Sequence, residues 1–198
     1  SNPCSEYMFL DDTACNLASL NLMQFRRNDG SFNIQAFEHS CRFWTLTLEI
    51  SVLMAQFPSK EIAQLSYEYL TLGLGFANIG GLLMAQGHSY DSDEGRAICA
   101  AITAVMTGIS YATSAEIASE VGAFPKYKKN KKHMLRVMKN HRLAAHGKAT
   151  GYKGLSILPV PLDADSCTDT DLVAAAQAAW DKAVSLGEAH GYRNAQAT

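Results

Sequence analysis

The sequence predicts a helix-rich α/β fold in a single domain. Three observations predict it. Long stretches with apolar residues at helical spacing fill most of the chain, bounded by capping residues and glycines. Short strand-like stretches lie at the start of the chain, around 70–77 and in the closing "GYRNAQAT". No repeat, low-complexity tract or flexible linker interrupts them, and 198 residues suffice for one sizeable core.

Taken in order, residues 2–10 are extended in character, although Pro3 lacks the N–H a sheet ladder needs. In "CNLASLNLMQF", Leu17, Leu20, Leu22 and Phe25 suit either a strand or the start of a helix. The stretch 32–57 is apolar on more than one face and reads as a deeply buried helix ended by Pro58 and Ser59, with Phe37, Phe43 and Trp44 in the core. "LTLGLGFANIGGLLMAQG" reads as a short strand or turn leading into a helix closed by Gly87. A second long helix follows, capped by Asp91, Ser92 or Asp93 and rich in small residues that permit close packing. "KYKKNKKHMLRVMKNHRLAAHG" reads as a basic turn running into a helix, and 148–163 as a loop with one possible strand. The clearest helix is "TDTDLVAAAQAAWDKAVSLGEAHG", with acidic caps, a terminal Gly191 and an alanine packing face at 174–179.

Composition excludes several function classes. At 47% hydrophobic and 18% charged, with a formal charge of −2, the chain has no global field to favour nucleic acid or a membrane surface. Its apolar runs are interrupted by polar residues short of membrane-spanning length, and its first residues do not form a signal peptide. Five scattered cysteines, without CxxC or Cys/His ligand spacing, support neither a zinc ribbon nor a secreted disulfide scaffold. A reducing cytoplasm is the expected location. The six histidines show no metal-binding spacing, so no metal site is expected. The lysines of "KYKKNKK" are expected on a solvated turn. The glycines of "GLGFANIGG" lack a phosphate-loop signature and are expected to serve close packing. The start at Ser1 and the strand-like end at Thr198 suggest an excerpt from a longer chain.

The chemistry concentrates at the amino terminus. In an extended segment, side chains two apart share a side, so Asn2, Cys4 and Glu6 face one place. An amide donates and accepts, a carboxylate takes protons, and a thiol serves as nucleophile or radical carrier. Spacing alone leaves open a plain loop with a buried cysteine.

The order and flanks of these residues are more specific. Asn-Pro-Cys-Ser-Glu followed by Cys-Asn-Leu-Ala-Ser-Leu-Asn-Leu, with its eleven-residue cysteine spacing, closely resembles the finger-loop region of ribonucleotide reductase large chains. The form is most similar to the adenosylcobalamin-dependent class. The resemblance continues through "LGLGFANIGGLLMAQG", "ATSAEIASEVGAFPKY" and "GYRNAQAT", and so covers essentially the whole chain.

The resemblance implies part of a ten-stranded α/β barrel, with a finger loop and following strand over 1–25 and mainly helix over 32–198. It implies that Cys4 becomes a thiyl radical after cobalamin homolysis and takes the ribose 3′ hydrogen. Glu6 would accept the 3′-hydroxyl proton, Asn2 would hydrogen-bond the sugar, and Cys15 would belong to the thiol pair that ends as a disulfide. The partner of Cys15 lies upstream in the family, outside these residues, and Cys41, Cys99 and Cys167 match no family redox position. The substrate implied is a ribonucleoside diphosphate, with triphosphate the alternative. A thioredoxin-type reductant, the rest of the reductase chain and a possible second copy are the implied partners. The piece alone is expected to be inactive. Alternatives are the class whose radical comes from a separate subunit, a non-catalytic helical interaction module, and a thiol-disulfide exchange protein.

Overall fold

A computed structural model describes residues 10–14 and 16–197. The chain folds as β1 (Leu17–Asn21), a short 3-10 helix (Leu22–Phe25), α1 (Ile34–Met54), α2 (Lys60–Tyr69), β2 (Gly73–Ala77), α3 (Ile79–Gln86), α4 (Asp93–Val121), α5 (Tyr127–Ala145) and α6 (Thr170–His190). Both readings of "CNLASLNLMQF" hold, each for half of it.

Local chemistry sets the boundaries. The side chains of Asn33, Ser59, Ser92 and Asp169 accept from backbone N–H groups in the first turns of α1, α2, α4 and α6. Gly87, at φ 82°, ends α3 by donating to Leu83 and Met84 carbonyls, in a backbone region that favours glycine. α5 departs from the expected basic turn. It begins at Tyr127, so its lysines sit in the helix, where it has no side-chain cap and no acid in its first turn. Cations at that positive end oppose the helix dipole. Tertiary contacts compensate: Tyr127 is buried, its hydroxyl donates to the Gly187 carbonyl at 3.4 Å, and its ring meets Phe124 edge-on. The stretch 148–163 forms no strand.

β1 and β2 pair in parallel, Leu17 opposite Gly73 and Asn21 opposite Ala77. Leu74 forms a parallel bridge to Ala197, so the start of a third strand lies on the other side of β2, as the alternation in "GYRNAQAT" suggests. Parallel neighbours require crossovers, and α1–α2 and α3–α6 supply them. Glycines 73 and 75 therefore lie in a strand, where the sequence had suggested helix packing.

The main core gathers Leu20, Leu22, Phe37, Leu74, Leu82, Ile102 and Met106. A second cluster forms around Trp180, Tyr192, Phe124 and Leu70. α4 and α6 make the most extensive helix contact, with Ala176 and Ala179 buried on the alanine face. A Cβ on Gly108 would stand 2.8 Å from that of Ala179, so glycine sets the close approach. α4 is long and apolar enough to cross a bilayer, against the expectation from interrupted runs. Between Arg96 and Glu116 it carries no charged residue, and its interruptions there are chiefly Thr, Ser and Gly, which leave hydropathy high. Yet 67% of its most apolar window is buried inside the protein, as in a core helix.

α1 is less buried than its sequence suggests. Phe37, Cys41, Leu48 and Val52 face the core, but Phe43 is 57% exposed, and Trp44, Leu46, Ile50, Leu53 and Met54 are exposed as well. Phe43 and Trp44 are thus not core residues. One face of α1 packs against the sheet and α4, and the other has no cover among the described residues.

One charged pair lies within this framework. Glu49 Oε1 accepts from Arg193 Nε and Nη2, both at 2.7 Å, and Arg193 Nη1 donates to the Gly122 carbonyl at 3.1 Å. Both side chains are less than 10% exposed. Burial pushes the Glu49 carboxyl above its ordinary value, and Arg193 opposes that shift. We expect Arg193→Met to destabilise the fold by about 3–5 kcal/mol, because it strands a buried carboxylate. Adding Glu49→Leu should recover most of that loss in urea unfolding. A folded-state carboxyl raised above its unfolded value disfavours folding increasingly as pH rises past the ordinary carboxylate range. The single variant should therefore lose more at pH 8 than at pH 5.

A second prediction follows from Gly187, where a Cβ would lie 1.9 Å from the Tyr192 ring. That ring is held by its hydroxyl donating to the Ala183 carbonyl at 2.9 Å. Gly187→Ala should cost about 3 kcal/mol, the upper end of overpacking. Gly108→Ala should cost less: both glycines are helical and gain alike in propensity, but its Cβ would meet Ala179 at 2.8 Å rather than a ring at 1.9 Å. Thermal midpoints of the two variants rank them.

Candidate active site

The four residues singled out from sequence, Asn2, Cys4, Glu6 and Cys15, lie outside the described residues. What the structure places is the framework on either side of position 15, at the start of β1. The Ala14 N–H donates to Ser66 Oγ at 3.0 Å, and the Ala14 carbonyl accepts from Thr71 Oγ1 at 3.2 Å. The Asn16 carbonyl accepts from the Gly73 N–H at 2.8 Å, and its side-chain amide donates to the Leu48 carbonyl at 2.8 Å. Both flanks are therefore tied to α1, to α2 and to the start of β2.

Ser66 and Thr71 can do this because both are buried, at 0% and 4% exposure, at the end of α2 and in the turn that follows. Leu70, between α2 and β2, takes a left-handed φ of 48° and lets the chain reverse tightly there. The start of the third strand is fixed at the same level. Ser114 Oγ accepts from the Arg193 and Asn194 N–H groups, each at 3.0 Å, and the Asn194 amide donates to the Tyr69 carbonyl at 3.0 Å. Leu10, Thr71, Asn194, Tyr69 and His133 line a cavity of about 370 Å³ beside these strand starts.

The sheet presents two chemically different faces. Ala18 and Leu20 turn towards the core, whereas Leu17, Ser19 and Asn21 are exposed, opposite Gly73, Gly75 and Ala77. Apart from Leu17, that face carries only small and polar groups.

The remaining cysteines are poorly suited to redox work. Cys41 and Cys167 are buried, Cys99 is half-buried, and all three are free. Burial raises each thiol above its ordinary value, which keeps it protonated and unreactive. No metal-binding cluster occurs among the described residues.

Sequence reasoning missed the residues that build this framework: Ser66, Thr71, Ser114, Asn194 and the Glu49–Arg193 pair. One signal was available. A lone acid in the apolar run "TLTLEISVLM" requires a buried cation, and Arg193 in "GYRNAQ" is the one that answers it.

The chain belongs to the ribonucleotide reductase family: residues 1–198 match its barrel domain throughout. It is 68% identical, over its whole length, to a vitamin B12-dependent ribonucleotide reductase of Bradyrhizobium diazoefficiens, and 66% identical to that of Agrobacterium fabrum. It spans 16% of each of those proteins. A vitamin B12-dependent ribonucleoside-diphosphate reductase of Mycobacterium tuberculosis is 28% identical over 64% of this chain and 18% of its own.

Ser66→Ala tests the framework. It removes the acceptor for the Ala14 N–H, and a typical net loss of about 1 kcal/mol corresponds to roughly fivefold to tenfold faster exchange of that amide. Hydrogen exchange read by mass spectrometry or NMR checks it.

Proposed function

We propose that this chain is the active-site sector of an adenosylcobalamin-dependent ribonucleotide reductase and contributes to its ten-stranded barrel. The observation that carries the reading is the anchoring of both flanks of position 15 where three parallel strands begin. A thiol that must meet one substrate carbon and one partner sulfur needs a rigid mount, and strand starts tied by buried hydrogen bonds are one.

In this reading the Cys4 thiyl takes hydrogen from ribose C3′, forming an S–H bond and leaving a carbon radical. Glu6 accepts the 3′-hydroxyl proton while Asn2 holds the sugar. The 2′-hydroxyl leaves as water, with a proton from the thiol pair. Cys15 and a cysteine outside these residues supply two electrons and the hydrogen that takes the place of the hydroxyl on C2′, becoming a disulfide, and Glu6 returns its proton to the 3′ oxygen. Cys4 then returns its hydrogen to C3′, and its thiyl is restored. The atoms balance as one ribonucleotide and two thiols giving one deoxyribonucleotide, one water and one disulfide.

The substrate we favour is a ribonucleoside diphosphate, in keeping with the name of the mycobacterial relative. A thioredoxin-type reductant would reset the disulfide, and a cytoplasmic setting would keep the remaining thiols reduced. The described residues do not fit a corrinoid. The largest cavity described, about 830 Å³, is ringed by Lys and Arg and is too small for a corrin with its nucleotide and adenosyl arms. Residues other than the described ones would hold the cofactor.

The test is turnover of the full reductase that carries this sequence. Cys4→Ser should reduce deoxyribonucleotide formation by ~10³-fold or more, the scale seen when an essential nucleophile is removed. Cys15→Ser should stop multiple turnover with a dithiol reductant. Undiminished turnover in Cys4→Ser would remove the radical reading and favour a non-catalytic module.

A further inference from the structure

Charge is unevenly placed along the chain. Residues 122–162 hold ten of its 17 Lys and Arg and no Asp or Glu, leaving seven cations against all 19 carboxylates elsewhere. Six of the ten converge on one cavity of about 830 Å³ between α5, α6 and the loop after α5. Lys132, Arg136, Lys139 and Arg142 come from α5, at spacings that bring them to a common side of the helix. Lys148 and Lys153 come from the loop.

The loop is held in place. The Asn140 side chain donates to the Lys153 carbonyl and accepts from the Lys153 N–H, both at 3.0 Å. Gly154, with φ 69°, lets the Arg136 guanidinium lie against the backbone, where a Cβ would come within 2.8 Å of Nη1. Gly147 and Gly151 also take positive φ. The result is a built wall.

Two of the six cations are already paired: Lys139 with Glu188 and Arg142 with Asp181, each at 2.5 Å. Lys132, Arg136, Lys148 and Lys153 have no acidic partner among the described residues. Lys132 and Arg136 stand one helical turn apart and repel each other. Between them the floor is apolar, formed by Leu135, Leu143 and Val184. Folding gives no return for gathering unpaired like charges around a concave surface; binding an anion does.

We infer that this cavity binds the phosphate chain of an oligophosphate, either free or carried by a nucleotide. A guanidinium fork grips phosphate oxygens in pairs, and lysines supply mobile point charges around it. The spread of four unpaired cations suits several linked phosphates better than one. The apolar floor offers a surface for a nucleotide base. The inference is independent of the radical chemistry, since none of these six residues takes part in it.

Lysine acetylation read by mass spectrometry, on the full protein carrying these residues, locates the site even if other nucleotide sites exist. Tripolyphosphate should slow acetylation of Lys148 and Lys153 by roughly threefold or more relative to Lys60 on α2, since bound phosphate sequesters the ammonium groups. The double variant Lys132→Gln/Arg136→Gln should weaken that protection at least ~10-fold in ligand concentration, given the strength of charge-assisted contacts. Its unfolding midpoint without ligand should not fall, since the variant removes a repulsive pair. Protection at lower concentrations of ATP than of tripolyphosphate would identify a nucleotide as the source, and equal concentrations a free phosphate chain. Equal modification of all three lysines with and without ligand would overturn the inference. So would protection by long single-stranded DNA but not by tripolyphosphate.

Discussion

The buried pair between Glu49 and Arg193 is the interaction on which the arrangement of strand starts depends. Arg193 stands just before the third strand begins, and its guanidinium reaches the middle of α1 and the carbonyl of Gly122 beyond the end of α4. The next residue, Asn194, binds the last residue of α2 through the Tyr69 carbonyl. Ser114 accepts from both backbone N–H groups at once. A single turn of chain thus joins three helices and delivers the Gln196 carbonyl to the Leu74 N–H at 2.9 Å. A buried ion pair adds little net stability over a well-packed apolar pair. What it adds here is direction: only one placement of the chain satisfies the guanidinium fork, so the strand is set in one register.

That register reaches position 15 through β2. The Gly73 N–H bonds Asn16, and the adjoining Leu74 N–H bonds Gln196, so the two outer strand starts are fixed against the same central one. Thr71, two residues earlier, holds the Ala14 carbonyl. A shift of β2 would displace both neighbours together. The close contact of α4 with α6 protects against such a shift. Gly108 removes the bulk that would separate the helices, and Gly187 lets Tyr192 fold back beneath α6 just before Arg193. Small residues far from the site therefore control how accurately its strands meet.

Much of this was legible in the sequence, for reasons that differ by element. The ends of α3, α4 and α6 were visible because Ser92, Asp169, Gly87 and Gly191 act through local hydrogen bonds, which depend on neighbours in sequence, whereas α2 and the Asn33 cap of α1 went unread. The third strand was visible as two-residue alternation. The exposed face of α1 was not, because Phe43, Leu46 and Ile50 look like core residues in any one-dimensional reading, and only the placement of α4 shows which side is covered. The α5 start was misplaced because lysines at a helix N-terminus are locally unfavourable, and what overrides them, Tyr127 against Phe124 and Gly187, is long-range. At the candidate site, Asn2, Cys4, Glu6 and Cys15, which lie outside the described residues, were singled out by their order and flanks. Their supports were not, since Ser66, Thr71 and Asn194 are ordinary polar residues whose roles arise from contacts across 52, 57 and 125 positions.

The sheet itself argues for a larger architecture. Parallel strands are ordinarily buried on both faces, and short sheets of two or three strands rarely persist with open edges. Here one face is packed against helices, while Leu17, Ser19 and Asn21 remain exposed on the other. Leu17 is 45% exposed, a poor position for a leucine in a finished sheet. Among the described residues only β2 pairs with β1, so the outer backbone groups of β1 are left without a ladder. The uncovered side of α1 adds a second unfinished surface. A closed barrel resolves the open edge of β1 by supplying a further parallel strand. In the proposed barrel, the face that carries Leu17, Ser19 and Asn21 would turn inward. The proposed barrel would meet both needs at once, since a ring of strands would complete the sheet and enclose the proposed chemistry.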